Sequence, residues 1–132
     1  MVEAGGTVTT AVWRAKHLRG PWERPAHPQL TGTRHAWDED NLCVMGATIA
    51  PDGRLAVTYA GYSYYNQSAQ TDRLGIAFAD PANAFAPDSW SKQPDAILTR
   101  GPSAWDGGAI HEHDLVRLPN GTCKSNSVQT LS

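Results

Sequence analysis

The tripeptide Ala-Trp-Asp occurs twice in this chain, and the copy centred on Trp105 follows the copy centred on Trp37 by 68 residues. The same offset relates further identical residues without a gap. They are Trp22 and Trp90, Leu30-Thr31 and Leu98-Thr99, Pro51 and Pro119, and Gly53 and Gly121. A fixed period of this length indicates that one structural unit is repeated and that each copy packs against its neighbour. Any fold proposed for the chain must therefore accommodate two related units.

The composition favours strands over helices. Twelve Gly and nine Pro among 132 residues point to many turns and short strands, and no segment combines a helical period with capping residues. Leu, Ile, Val and Phe are few, so five Trp and four Tyr must supply much of the apolar core. We expect a single all-β domain over residues 1–132, built of antiparallel hairpins.

Runs of β-branched and apolar residues predict strands at 7–14, 42–50, 54–61, 73–80 and 109–118. Pro51-Asp52-Gly53 and Pro119-Asn120-Gly121 predict tight turns, because Pro presets one dihedral angle and Gly accepts a positive φ. The first repeat spans about 8–72 and the second about 73–122. Residues 123–132 are polar where the first copy has an apolar return strand, and we expect them to form an irregular tail.

Charge and targeting features exclude several classes of protein. The 11 basic and 13 acidic residues leave a net charge of −2, whereas nucleic-acid and anionic-membrane surfaces need clustered Lys and Arg. No stretch approaches the roughly 20 apolar residues that cross a bilayer, and no signal peptide is visible, so a cytoplasmic location is the default. Cys43 and Cys123 lack the CxxC spacing and are expected to be free thiols. No cofactor and no metal site is predicted.

The motifs of the repeat follow one another in a fixed order. The segment Arg73 to Asp80 is followed by Ser89-Trp90, Ala96-Ile97-Leu98, Trp105-Asp106 and the turn Pro119-Asn120-Gly121, and the first copy carries Gly20-Pro21-Trp22. Over roughly residues 8–122 this order resembles the blades of five-bladed β-propeller glycosidases. These include the family-43 arabinanases and xylosidases, the family-32 invertase-like enzymes and the family-130 mannoside phosphorylases.

The resemblance implies an incomplete propeller. Five units of this size would need about 340 residues, so a chain of 132 residues holds about two blades and cannot close the ring. Blades bury their faces against one another, and uncovered edges would favour self-association. We expect the chain to be a truncated or frameshifted part of a longer propeller, and a small self-associating domain is the alternative.

Glycoside hydrolysis needs two carboxylates that flank the scissile bond. In the resembled enzymes the catalytic base lies in an Asp-x-x-Val-type segment shortly before the hairpin glycine. Asp114 occupies that position, seven residues before Gly121, and the first repeat has Gly46 in its place. In a strand Glu112 shares a face with Asp114, and adjacent carboxylates raise each other's pKa, as a general acid requires. Asp114 and Glu112 are the predicted catalytic residues and Asp38 is a weaker candidate; alternatively, these side chains line a solvated funnel without chemistry.

Recurrence separates structural residues from candidate contacts. Because Asp38 and Trp37 recur as Asp106 and Trp105, we expect the aspartates to cap turns and the tryptophans to pack between blades. The loop that begins at Tyr62 is not repeated and is the better candidate for a sugar contact. The predicted substrate-binding residues are Tyr62, Tyr64, Tyr65, Trp37, Trp105, His111 and His113.

These features predict a glycosidase-like propeller segment that acts on or binds carbohydrate, with hydrolysis of glycosidic bonds in the full-length relative. A non-enzymatic carbohydrate-binding domain, or an inactive truncated fragment, is the alternative. An oligo- or polysaccharide is the expected partner, and neither nucleic acid nor a membrane is.

Overall fold

The computed structural model of the protein describes residues 9–63, 73–99 and 110–129, and for 110–113 and 125–129 it describes the backbone alone. Every strand in these ranges is paired antiparallel, and none of the described residues is helical. The strands are β1 (Asn41–Ile49), β2 (Leu55–Tyr62), β3 (Arg73–Ala79), β4 (Ser91–Lys92), β5 (Ile110–Arg117) and β6 (Cys123–Gln129). The prediction of an all-β chain built of antiparallel hairpins is confirmed.

The strands form two open sheets. β1 to β4 make a four-stranded meander in chain order, and β5 pairs with β6 in a separate hairpin. Neither sheet closes on itself within the described residues, so the architecture is an open all-β fold, as predicted for an incomplete ring.

The repeat is reproduced in detail at the two hairpin turns. Gly53 and Gly121 have φ values of 85° and 84°, a region that glycine enters without steric cost. The side chain of the preceding residue closes each turn in the same way, because Asp52 Oδ1 accepts from Arg54 N at 3.1 Å and Asn120 Oδ1 accepts from Thr122 N at 3.0 Å. Both predicted turns are therefore confirmed, and each sets the register of the hairpin it joins.

The strand predicted at 7–14 is not formed by its described residues, 9–14. Thr10 and Arg14 make only isolated bridges, to Leu30 and to Glu23. A strand needs a continuous ladder of hydrogen bonds, and these bridges are isolated. Both bridges lie on one edge of the segment, and none of the described residues pairs with its other edge. The two bridges nevertheless match the repeat, because Leu74 bridges Leu98 and Phe78 pairs with Ser91 in the second copy.

The tail predicted over 123–132 is wrong for its first seven residues, since Cys123–Gln129 form β6. The register Arg117 to Cys123 repeats the register Ile49 to Leu55 of the first hairpin. Backbone pairing requires no apolar side chains, so the turn sets the ladder although the return strand is polar. The boundary between 72 and 73 is also not a structural one, because β3 pairs with β2 in a single sheet.

Alternate side chains of β2 lie on the two faces of the four-stranded sheet. On the first, the Tyr59 face, Tyr59 and Val57 belong to a buried cluster with Leu30, Trp37, Leu42 and Ala77. On the second, the Leu115 face, Ala56 and Ala50 pack against Leu115 of β5. The second hairpin therefore covers one face of the sheet.

Gly46 lets the second hairpin approach closely. A Cβ atom at Gly46 would lie 2.6 Å from the backbone nitrogen of Leu115, well inside van der Waals contact. Only glycine fits between β1 and β5 at this point, and the contact fixes where Asp114, the residue before Leu115, is placed.

Candidate functional site

Asp38 is the centre of a buried polar cluster. Its Oδ1 accepts a hydrogen bond from Thr33 N at 3.1 Å, as expected of a turn cap, and its Oδ2 accepts from Tyr59 Oη at 3.2 Å. Lys92 Nζ donates to the same Oδ2 at 2.7 Å. Asp38 is only 2 % exposed, and its carboxylate oxygens accept hydrogen bonds from groups of the protein and not from solvent.

Lys92 joins two parts of the chain that are distant in sequence. Besides the ion pair with Asp38, its ammonium donates to the carbonyl of Thr31 at 2.7 Å. The lysine belongs to the two-residue strand β4, and its bonds tie that strand to the segment that leads into β1. Removing either member of a buried ion pair leaves the other charge desolvated, without an opposite charge to compensate for the lost hydration.

Trp37 packs against the same cluster. Its ring stacks on that of Tyr59 with centroids 5.7 Å apart and planes inclined by 5°, and its Nε1 donates to the carbonyl of Pro94 at 3.0 Å. Because Trp37 is 8 % exposed, it has no free face on which a sugar ring could stack. The structure therefore places Trp37 in the core of the Tyr59 face.

The hydroxyl of Tyr59 is held in its protonated form. Burial raises the pKa of Tyr59 above its ordinary value of 10.0, and the charge of Asp38 and the hydrogen bond to Asp38 act in the same direction. Gly75, which pairs with Tyr59 across β2 and β3, leaves room for this ring, because a Cβ there would meet the hydroxyl oxygen at 2.6 Å. The cluster thus depends on a glycine on the neighbouring strand.

Asp114 has a different environment. It lies in β5 opposite Asn126 and is exposed, and its Oδ1 accepts a 2.8 Å hydrogen bond from the backbone nitrogen of Leu115. Within the described residues it makes no ion pair. The described residues give the second carboxylate oxygen no hydrogen-bond partner, so it can accept from a ligand, a capacity that the buried Asp38 lacks.

Glu112 lies at an irregularity of β5. The register shifts between His111 and His113, which leaves Glu112 opposite no single residue of β6. A bulge of this kind interrupts strict alternation, so the predicted sharing of one face by Glu112 and Asp114 does not follow from a regular ladder. The side chains of residues 111–113 lie outside the described part of the structure.

The remaining predicted contacts are only partly described. Tyr62 ends β2 and is half-buried, and next to it Ser63 Oγ donates to Asp40 Oδ2 at 3.3 Å. Tyr64, Tyr65, Trp105 and Asp106 lie outside the described residues. The structure therefore brings Asp38 and Trp37 together with Tyr59 and Lys92, and places Asp114 apart from them on another strand.

Two members of the Asp38 cluster were not predicted from the sequence. Tyr59 lies within an apolar strand, which predicts only a core residue. Lys92 adjoins a polar stretch that is typical of a loop. Neither belongs to a motif, since the residues at the same offset from them are Ser127 and Arg24. Only the pairing of β2, β3 and β4 brings them together.

No metal centre is formed by the described residues, in which no three His, Cys, Asp or Glu side chains are grouped closely enough to hold an ion. Within the same ranges no helix has the length and hydropathy needed to cross a membrane. What the second hairpin offers chemically is an exposed carboxylate, Asp114, beside the bulge at Glu112.

No family model, curated protein or solved structure matches this chain. The fold and the site together define an open, antiparallel all-β protein with an internal repeat and an exposed carboxylate on its second hairpin.

Proposed function

We propose that this chain is part of a glycosidase-like β-propeller and binds carbohydrate through the second hairpin, with Asp114 as the carboxylate that contacts the sugar. The observation that carries the proposal is that an exposed carboxylate, Asp114, stands where the first repeat has an enclosed glycine, Gly46. The two hairpins share their turn geometry and the register next to the turn, yet Gly46 in the first is replaced by Asp114 in the second.

The different surroundings of the two residues support a functional role for Asp114. Gly46 is enclosed by the contact with Leu115, whereas Asp114 is exposed and keeps one oxygen unoccupied by the described residues. A charged residue contributes little to an exposed strand, because Asp has low β-propensity. A carboxylate that accepts from sugar hydroxyls forms the short, strong hydrogen bonds that charged acceptors provide.

Catalysis would need a second carboxylate. Retaining and inverting glycosidases hold the two groups about 5–9.5 Å apart. Glu112 is the candidate partner on β5, and Asp38 is unsuited to the task because Lys92 and Tyr59 engage it in the core. Hydrolysis of glycosidic bonds in the full-length relative would then combine Asp114 as base with an acid such as Glu112.

The test is binding of a panel of oligo- and polysaccharides, with hydrolysis of aryl-glycosides measured in parallel. Asp114→Asn should weaken binding by about tenfold, the scale of one lost charge-assisted hydrogen bond. Asp95→Asn is the matched control, because Asp95 is also exposed and should bind as the wild type does. Absence of binding to every glycan, or equal affinity in the two variants, would refute the proposal.

The alternative function is carbohydrate binding without catalysis. It is favoured by the burial of Asp38, which removes one of the three predicted carboxylates from contact with a substrate. Binding that depends on Asp114 without turnover of any aryl-glycoside would establish this alternative.

A further inference from the structure

The segment 10–14 has a backbone edge with which none of the described strands pairs. Thr10 N donates to Leu30 O and Arg14 N to Glu23 O, while Val12 N donates to the side chain of Gln29 at 2.8 Å. The three even-numbered residues therefore point to one side. In an extended chain the backbone groups of Ala11 and Trp13 point to the other side, where no described strand pairs with them.

The repeat identifies what pairs with the equivalent edge. Because Thr10 and Arg14 correspond to Leu74 and Phe78 through matching bridges, the segment 10–14 is the counterpart of β3. In β3, Gly75 pairs with Tyr59 and Ala77 with Val57, both from β2. The open edge of 10–14 is thus the place where the repeat puts a strand equivalent to β2.

An apolar cavity of about 260 Å³ adjoins this edge. It lies between the segment and the Tyr59 face of the sheet, and its walls are almost wholly apolar. The lining residues that matter here are Val12, Val44, Ala47, Leu55, Val57 and Trp90. On the opposite face of the sheet, Leu115 packs at Gly46, and Leu115 is the repeat equivalent of Ala47. The cavity therefore faces the position that a preceding hairpin of the repeat would occupy.

We propose that the 10–14 edge and the adjoining cavity form a docking site for a β-hairpin of the repeat's own type. Its return strand pairs with Ala11 and Trp13 as β2 pairs with β3. Its leading strand presents a glycine or another small residue to Ala47, as Gly46 does to Leu115. The contacts on the two faces of the β1–β2 hairpin are then equivalent to each other through the repeat.

The hairpin β5–β6 of a second copy is a poor occupant. In the docked hairpin, Asp114 would take the position equivalent to Gly46, which must be small. Lys124 would take the position equivalent to Ala56, which packs on the Leu115 face. In the register of β2 with β3, Lys124 would also lie directly opposite Arg14. Like charges directly opposite each other across a ladder destabilise the pairing, and burying a charge without a partner costs more.

The site also limits the size of one residue of the hairpin. Tyr59 fits over Gly75 only because glycine has no Cβ, but the equivalent of Gly75 in the segment is Ala11. The hairpin must therefore carry a small residue opposite Ala11, and a tyrosine there is accepted only when Ala11 is replaced by glycine.

The experiment attaches a copy of residues 41–64 in front of Met1 of the full chain, which keeps the spacing to Thr9 equal to that between Tyr62 and Arg73. The matched protein carries Tyr59→Ser in the added copy. The mismatched protein keeps the added tyrosine, and the restored protein keeps it together with Ala11→Gly. Amide hydrogen exchange is measured at residues 11 and 13, with Gly75 and Ala77 reporting that the native sheet is intact.

Exchange at residues 11 and 13 should slow by about tenfold or more in the matched and restored proteins, the scale of one ladder hydrogen bond, and remain fast in the mismatched one. Fast exchange in all three proteins, or equal protection in all three while Gly75 and Ala77 stay protected, would overturn the proposal. Protection in the unmodified chain that grows with concentration, together with a dimer mass, would identify a second copy as the occupant and also overturn it.

Discussion

Asp38 illustrates how a repeated residue acquires partners that the repeat does not supply. Its bond to Thr33 N is a local turn interaction, which the tripeptide predicts. Its bonds to Tyr59 and Lys92 join the turn to β2 and β4, and neither residue is repeated identically at the same offset. A carboxylate in this environment contributes to stability and not to ligand binding, because burial leaves it no free acceptor directed at solvent.

Removal of the cation from this cluster should destabilise the fold. Lys92→Met leaves Asp38 desolvated and unpaired, and the side chains are only 17 % and 3 % exposed, so we expect a loss of about 3 kcal/mol in the free energy of unfolding. Urea denaturation provides the measurement. Adding Asp38→Asn to the same protein should recover part of the loss, because no charge then remains buried; a double variant less stable than Lys92→Met alone would contradict this account.

The raised pKa of Tyr59 predicts a dependence of stability on alkaline pH. Above pH 10.0, the ordinary pKa of tyrosine, the unfolded chain releases this proton while the folded protein keeps it. The folded state then binds more protons than the unfolded state does. The stability that protonated Tyr59 contributes at lower pH is therefore lost as the pH rises. Relative to Tyr59→Phe, the wild type should lose about 1.4 kcal/mol per pH unit above that point. Parallel curves for the two proteins between neutral pH and the alkaline limit of folding would exclude the effect.

At the scale of the elements, the hairpin turn is the part of the repeat that is most faithfully copied. Ala50 and Leu118 each accept a bond from the turn glycine, at 2.9 Å in both cases, and each donates to the residue after that glycine at 2.8 Å. The flanking strands differ greatly in polarity, since β2 is mostly buried and β6 is rich in polar residues. Turn chemistry therefore determines the hairpin, and the strand composition determines only what the hairpin packs against.

Equivalent substitutions in the two turns should have equivalent effects. A Cβ at Gly53 or Gly121 would meet nothing within 4 Å, so the cost of alanine is conformational alone and should be about 1 kcal/mol at each position. Thermal unfolding of Gly53→Ala and Gly121→Ala tests this. Asparagine, which tolerates positive φ, should cost less at both sites. Costs that differ severalfold between the two turns would show that the turns are not equivalent.

At the scale of the whole molecule, the two sheets are joined mainly through Leu115. This side chain is 9 % exposed and packs with Ala50, Ala56 and Phe78, and the backbone beside it rests on Gly46. The position of Asp114 is fixed by the same contact, so the candidate carbohydrate site depends on how the hairpin is seated on the sheet.

Truncation of this contact should release the second hairpin without unfolding the first sheet. Leu115→Ala is expected to cost about 2–3 kcal/mol, and amide exchange should accelerate in β5 and β6 while β2 and β3 remain protected. Val116→Ala is the matched control, because Val116 is 43 % exposed. Its truncation should change neither the free energy of unfolding nor the amide exchange of β5 and β6. Uniform acceleration across all strands would mean that the two sheets unfold as one cooperative unit.

Several features were determined by the sequence alone. Pro-Asp-Gly and Pro-Asn-Gly select turns that only a few dihedral combinations permit, so both turns follow from short segments. The Gly and Pro content excluded long helices. Recurrence indicated structural roles for Asp38 and Trp37, which the structure buries, although both were also predicted as site residues.

Other features were decided by the tertiary structure. The sequence predicts a strand at 10–14, but among the described residues this segment has partners on one edge only. The polar residues of β6 form a strand because β5 offers them a ladder. The partners of Asp38 come from positions 59 and 92, which no local pattern connects. Sequence patterns report interactions between near neighbours, whereas pairing of distant strands and burial of charge depend on which segments the whole chain brings into contact.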